Sequence, residues 1–140
     1  MIRISDIELV KMLRENARIP FLRIADALGV SETAVRKRVR KLEKSGVIKK
    51  YTVEVDPRKL GFEINTLIGL DTKPECYLQV VEKLKGMKET VSVYATSGDH
   101  MILVECWFKN SGELAEFCKK LESMQGVTRV CPAIIIEKVK

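Results

Sequence analysis

Residues 36–44 read Arg-Lys-Arg-Val-Arg-Lys-Leu-Glu-Lys, six basic side chains against one acid, Glu43. Lysine and arginine neutralise phosphates and release their counterions. Arginine can also grip O6 and N7 of a guanine with two hydrogen bonds in the major groove. The chemistry on offer is therefore binding of a polyanion, double-stranded DNA above all. Val35, Val39 and Leu42 are spaced i, i+4, i+7 and form a buried helical stripe. At about 100° per residue, Thr33, Lys37, Arg40 and Lys44 fall on the opposite side, flanked by Arg36 and Lys41. The N-terminal residues of a recognition helix usually reach base edges, which here means Ser31, Glu32, Thr33, Ala34 and Lys37. A charged helix can equally be an ordinary solvated face. The tight turn before this one, and Lys49 and Lys50 after it, favour DNA.

Other chemistries have little to draw on. His100 is the only histidine, and no paired catalytic carboxylates, phosphate loop or Ser/His/Asp pattern is present. No catalytic residue, and hence no enzyme, is expected. Cys76, Cys106, Cys118 and Cys131 are too far apart for a CxxC metal or redox motif. No metal and no cofactor is expected, and the cysteines read as buried free thiols.

Three helices must position the basic face. Ser5 can cap the first, with Ile7, Leu9, Val10 and Leu13 apolar. Pro20 suits the first turn of the second, with Phe21, Ile24, Ala25 and Leu28 on one face and Gly29 at its end. Ser31 caps the third, which runs to Gly46. Two helices joined this tightly through a glycine predict a helix-turn-helix over residues 1–46. Val47–Val55 then alternates with period two and reads as a strand. Asp56-Pro57 breaks it, and residues 47–61 make a hinge strand and linker. The charge follows the same division. Residues 1–60 carry 15 Lys and Arg against 8 Asp and Glu, a balance of +7, whereas residues 61–140 carry 10 against 11, a balance of −1. A basic head on a neutral body is expected.

Residues 62–140 read as strand, helix, strand, strand, helix, strand. The elements are Ile64–Thr72, Cys76–Met87 (Leu78, Val81 and Leu84 inward), Val91–Thr96, Met101–Phe108, a helix capped by Ser111 (Leu114, Phe117, Cys118, Leu121 and Met124 on one face), and Val127–Val139. The near-continuous apolar run of Met101–Phe108 suggests a strand covered on both faces. This order is the split βαβ, or ferredoxin-like, arrangement, so the class is α+β. Its helices cover one sheet face, and the open one needs a partner, so a homodimer is expected. That fold hosts many functions and decides none. A sensing module acting only through protein partners is disfavoured by the basic third helix, because a docking helix normally carries an apolar outer face.

The string SETAVRKRVRKLEKSGVIKKYTVEVDPRKLGF, residues 31–62, resembles the leucine-responsive regulatory protein/AsnC (Lrp/AsnC) family of bacterial and archaeal regulators. TSGDHMILVE at 96–105 and GVTRVCPAIIIEK at 126–138 resemble the family's effector domain, its archaeal members especially. The resemblance implies a winged helix-turn-helix, a hinge strand and a βαββαβ (RAM-type) ligand-sensing domain, in dimers that assemble into tetramers or octamers. A sequence-specific, autoregulatory transcriptional regulator modulated by a small amino-acid-like effector is expected, and two heads on the two-fold axis of a dimer should read a pseudo-palindromic promoter site. Many members carry Gly-Asp-Tyr-Asp in the turn between the second and third strands, near an amino-acid site between dimers. Here the turn is Gly98-Asp99-His100-Met101, so one candidate acceptor is missing. Thr96, Gly98, Asp99 and His100 are the expected effector contacts, with Asp99 accepting from an ammonium and backbone amides near Gly98 donating to a carboxylate. Gly98-Asp99 also reads simply as a hairpin turn. No run approaches eighteen apolar residues, and Met1–Asp6 has no apolar segment of a secretory signal, so a cytoplasmic protein without a membrane partner is expected.

Overall fold

The computed structural model describes residues 4–140; Met1–Arg3, half of the stretch expected to lack a secretory signal, lie outside the described residues. The chain divides into two compact units, Met1–Glu54 and Val55–Lys140.

In the first unit, α1 spans Ile4–Glu15, α2 Phe21–Leu28 and α3 Glu32–Lys44. Their core is Leu9, Leu13, Ile24, Ala25, Val35, Val39 and Leu42, with Val10, Met12, Ile19, Phe21, Leu28 and Ile48 packed on it. Leu9 and Leu13 set the inward stripe of α1, so Ile7, rotated about 200° from Leu9, is exposed. Ser5 is not the cap expected of it. It lies inside α1, and its Oγ accepts a hydrogen bond from Arg38 of α3. Pro20 occupies the N-cap of α2, just ahead of the first turn in which it was expected. Gly29 ends α2 with φ 67°, a left-handed conformation that a Cβ disfavours. Ser31 caps α3 by accepting from Ala34 N at 3.1 Å, a bond of the kind worth about 1 kcal/mol. Three residues, Gly29, Val30 and Ser31, thus suffice to turn α2 into α3. α3 stops at Lys44, short of Gly46.

The strand expected over Val47–Val55 forms no ladder within the described chain. Period-two alternation supplies the pattern of a strand but not its partner, and backbone groups without a neighbouring strand have nothing to pair with. Ile48 is tied to the head, its N–H bonded to Leu42 O at 3.0 Å and its side chain against the core, and the Tyr51 hydroxyl bonds Glu43.

The second unit opens with a 3₁₀ turn at Pro57–Leu60 capped by the Asp56 side chain. β1 (Ile64–Thr72), α4 (Tyr77–Lys85), β2 (Thr90–Ala95), β3 (Ile102–Phe108), α5 (Ser111–Glu122) and β4 (Val127–Ile134) follow. The sheet order is β2-β3-β1-β4, and every pairing is antiparallel. Together the two units make the α+β architecture: a helix-turn-helix head and a βαββαβ sheet domain.

Ile68, Leu70, Ile102, Val104, Cys106 and Phe108 point from the sheet into a core closed by Val80, Leu84, Leu114, Phe117 and Leu121. Alternation puts Leu67, Gly69, Leu103, Glu105 and Trp107 on the other face, which no helix of this unit covers. The apolar run of β3 is therefore covered by helices on one side only, and Leu103 and Trp107 are half-buried. α4 is shorter than expected because Pro74–Cys76 forms a 3₁₀ turn before it. Its inward residues are Val80 and Leu84, while Leu78, expected inside, is 75% exposed. Asn110, not Ser111, caps α5, accepting from Glu113 N at 3.0 Å, while Glu113 reaches back to Lys109 N at 2.9 Å. β4 ends at Ile134 rather than Val139; one further bond to β1, from Ile135 N to Asn65 O at 2.8 Å, follows close to the start of β1 at Ile64. No described helix is long and apolar enough to cross a membrane.

Candidate nucleic-acid interface and effector turn

The α2–α3 turn leaves one side of α3 in solvent. Ser31, Glu32, Thr33, Arg36, Lys37, Arg40, Lys41 and Lys44 are all exposed, and Ala34 is half-buried. The expected base- and phosphate-contacting residues therefore share one surface, but their side chains are not equivalent. Arg36 Nη2 donates to Glu32 Oε1 at 3.0 Å, and its guanidinium carbon sits 5.9 Å from the Phe21 ring centroid on α2. Lys37, Arg40, Lys41 and Lys44 enter no ion pair among the described residues.

Arg38, one of the six basic residues, does not belong to this surface. Its Nε lies 3.4 Å from Asp6 Oδ1, with both side chains largely buried, and it also holds Ser5. It ties α3 to α1. Its position about 300° round the helix from Val35 distinguishes it from Lys37, and that signal was available in the sequence. At the far end of α3, burial raises the Tyr51 hydroxyl above its ordinary range, and the charge of and hydrogen bond to Glu43 add to this.

The β2–β3 turn brings Thr96, Gly98, Asp99 and His100 together. Thr96 N donates to Met101 O at 2.9 Å, Thr96 Oγ1 donates to His100 O at 2.6 Å, and Gly98 takes φ 99°. Asp99 is exposed. His100, however, turns back over the open sheet face. Its Nδ1 lies 3.1 Å from Asp71 Oδ2, and the other carboxylate oxygen of Asp71 accepts from Met101 N at 3.0 Å. Arg129 Nη1 approaches the same carboxylate at 4.0 Å. Burial raises the Asp71 carboxyl, but the bonds from His100 and Met101 and the charges of His100 and Arg129 outweigh it, and the net direction is below the ordinary carboxylate range. Met101 is no acceptor for a ligand in this arrangement: it packs on the core, and its Sδ accepts from Thr72 N at 3.5 Å. Asp71 is the residue that sequence reasoning missed. It lies 29 residues from His100 and meets it only because β1 pairs with β3.

The four cysteines are free; Cys76 and Cys106 are buried, Cys118 and Cys131 half-buried. Burial is the main force pushing the Cys106 thiol up to about 12, with smaller contributions from Glu89, Cys118 and Glu105.

Comparison with known proteins agrees with this architecture. Residues 2–49 match the winged helix-turn-helix DNA-binding family, and residues 66–140 match the Lrp/AsnC ligand binding domain. The HTH-type transcriptional regulator LrpA of Pyrococcus horikoshii is 46% identical over 141 aligned positions, covering 100% of both chains. Among solved structures, AsnC of E. coli superposes with a TM-score of 0.84 at 23% identity, covering 100% of this chain and 95% of that one. A transcriptional regulator of Neisseria meningitidis, solved as a complex with L-Met, superposes with a TM-score of 0.87 at 18% identity, covering 100% and 93%. At those identities the two structures speak to the fold alone. Membership of the group implies double-stranded DNA as partner and self-association. A helix-turn-helix head that matches DNA-binding proteins, followed by a matching ligand-binding domain and full-length likeness to an archaeal LrpA, establishes that this chain belongs to the Lrp/AsnC family of transcriptional regulators and is not an enzyme.

Proposed function

We propose that the chain binds a pseudo-palindromic promoter site as a homodimer, with α3 of each protomer in the major groove. Ser31, Glu32, Thr33, Ala34, Arg36 and Lys37 face base edges, and Lys37, Arg40, Lys41 and Lys44 face phosphates. The observation that carries this reading is the exposed basic side of α3, presented by the Gly29 turn and the Ser31 cap. Residues 1–46 act as the reading head, 47–61 as hinge and linker, and 62–140 as the effector-binding and dimerisation domain.

The open sheet face, with Leu67, Leu103 and Trp107 half-buried, takes the second copy, and dimers assemble further into tetramers or octamers in the cytoplasm. A small amino-acid-like effector binds at Thr96, Gly98, Asp99 and His100, between dimers. The L-Met complex of the Neisseria meningitidis regulator supports an amino acid as the class of ligand. An effector acts by favouring one assembly over another, since equal affinity for both shifts nothing.

Gel-shift with the chain's own upstream DNA tests the reading, since autoregulation makes that segment a target. A retarded band that resists non-specific competitor is expected. Retardation abolished by competitor at every protein concentration would overturn sequence-specific binding.

A further inference from the structure

Glu32 is the first residue of α3 and stands among the exposed basic side chains proposed to meet DNA, where a carboxylate opposes phosphate. It is held by Arg36 at 3.0 Å, with both side chains about half exposed, at 46% and 49%. A pair this open contributes little to stability; the first turn of α3 favours an acid at Glu32 through the helix dipole, but that does not call for its tie to Arg36. The other acid of α3, Glu43, serves Tyr51 at the opposite end of the helix.

The Arg36 guanidinium is restrained twice. One nitrogen is committed to Glu32, and the Phe21 ring lies 5.9 Å from its centre. A guanidinium has five N–H donors in a planar fork. With Nη2 bound to the carboxylate, the remaining donors are available for a bidentate contact. The pair as a whole is electrically neutral, so it releases almost no counterions from a phosphate backbone. It thus discriminates between the two kinds of DNA contact. It offers little to phosphate, which is the same at every sequence, and a pre-oriented donor pair to a base edge.

We infer that Glu32 is a specificity-determining residue that acts through Arg36: it suppresses non-specific phosphate binding and holds the guanidinium ready for a guanine in each half-site. This inference rests on the reading of α3 as the recognition helix. Glu32→Gln frees Arg36 to meet any phosphate. Non-specific affinity should rise about three- to tenfold as each head gains one net positive charge, while specific affinity stays level or falls, so the ratio between them drops. Arg36→Ala should relax discrimination at one base pair per half-site by about tenfold.

The test begins with selection of a preferred duplex from a random-sequence DNA pool by the full-length protein. Binding to that duplex and to poly(dI-dC) is then measured for the wild type, Glu32→Gln, Arg36→Ala, the double variant and Glu43→Gln. Glu43→Gln removes the same charge from the same helix without touching Arg36. The specific-to-non-specific ratio should fall in Glu32→Gln, hold in Glu43→Gln, and respond no further to Glu32→Gln once Arg36 is alanine. Equal loss of ratio in Glu32→Gln and Glu43→Gln would reduce Glu32 to a simple charge and overturn the inference. So would a ratio unchanged by Glu32→Gln, or an effect that persists in the Arg36→Ala background. If the wild type enriches no duplex, the recognition-helix reading falls and takes this inference with it. If it enriches one and Glu32→Gln leaves the ratio intact, only the inference falls. Circular dichroism melting of each variant confirms folding, as expected for exposed positions.

Discussion

The imidazole of His100 rests on Gly69, so close that a Cβ at position 69 would lie 2.3 Å from His100 Cδ2 and 2.5 Å from Cγ. Gly69 belongs to the central strand β1, and the absence of its side chain makes the seat into which the β2–β3 turn folds. Asp71, two residues on along the same strand face, closes the arrangement by bonding Nδ1 of the ring and the amide of Met101. The turn is thereby clipped to the sheet by a strand that sequence places far from it.

Replacing Gly69 by Ala should expel the ring and break the contact with Asp71. A loss of about 1–3 kcal/mol is expected, in the range of overpacking changes. Thermal melting checks this, and the penalty should shrink when His100 is also alanine, since the clashing ring is then absent. An additive double variant would show that the ring does not occupy that seat.

Asp71→Asn should loosen the same turn. The Asp71 carboxyl lies below its ordinary value in the folded chain. Its ionic contribution is therefore fully present above the ordinary carboxylate value and is lost as pH falls through the lowered one. Wild type and Asp71→Asn should differ in melting temperature at neutral pH and converge in strong acid. A thermal-shift screen of the twenty amino acids addresses the effector directly. A hit that is weakened by Asp99→Ala supports the proposed contacts, and one that is indifferent to Asp99, Thr96 and His100 places the ligand elsewhere.

Reversing the charges of Lys37 and Arg40 should abolish DNA binding. If roughly half or more of the eight positions Lys37, Arg40, Lys41 and Lys44 in a dimer meet phosphate, the log–log salt slope should be about −4 to −7. Binding that ignores salt would refute the phosphate assignment.

Arg38→Ala should behave differently from its neighbours. Its guanidinium is engaged by Asp6 and Ser5, and removing it takes a charged partner from the buried Asp6 carboxylate at a cost of about 1–3 kcal/mol. The head should melt earlier and bind DNA more weakly, but with an unchanged salt slope. A reduced slope would mean that Arg38 does meet phosphate.

Cys106 should resist alkylation until the sheet domain unfolds, because its thiol is buried and raised to about 12. The folded state then holds a proton that the unfolded state releases near its ordinary value of 9.0. Stability from this group is intact below pH 9 and declines as pH rises toward 12, by up to about 1.4 kcal/mol per unit. Cys106→Ala should flatten that part of the pH profile, and mass spectrometry after iodoacetamide treatment reports the protection directly.

The reading head was legible in the sequence because its signals are local. Gly29, Ser31 and the Val35, Val39, Leu42 stripe act over a few residues, and helical periodicity alone puts Lys37, Arg40 and Lys44 outward. The order of strands and helices in the second unit was legible for the same reason. Local pattern failed where a choice depended on a distant neighbour. Ser5 looked like a cap, but Arg38, 33 residues away, takes its hydroxyl. Leu78 looked inward, but Val80 and Leu84 take the core side of α4, and Leu78, about 200° round the helix from Val80, is left in solvent. Val47–Val55 had the alternation of a strand and no strand to pair with. The sequence by itself determined which segments are helical, which face of α3 is basic and where the charge lies, because propensity, capping and periodicity are properties of neighbouring residues. Only the tertiary structure decided that Asp6 and Ser5 receive Arg38, that the Phe21 ring lies beside Arg36, and that Gly69, Asp71 and His100 meet, because burial and long-range pairing set those contacts and neither is written in the spacing of the residues that make them.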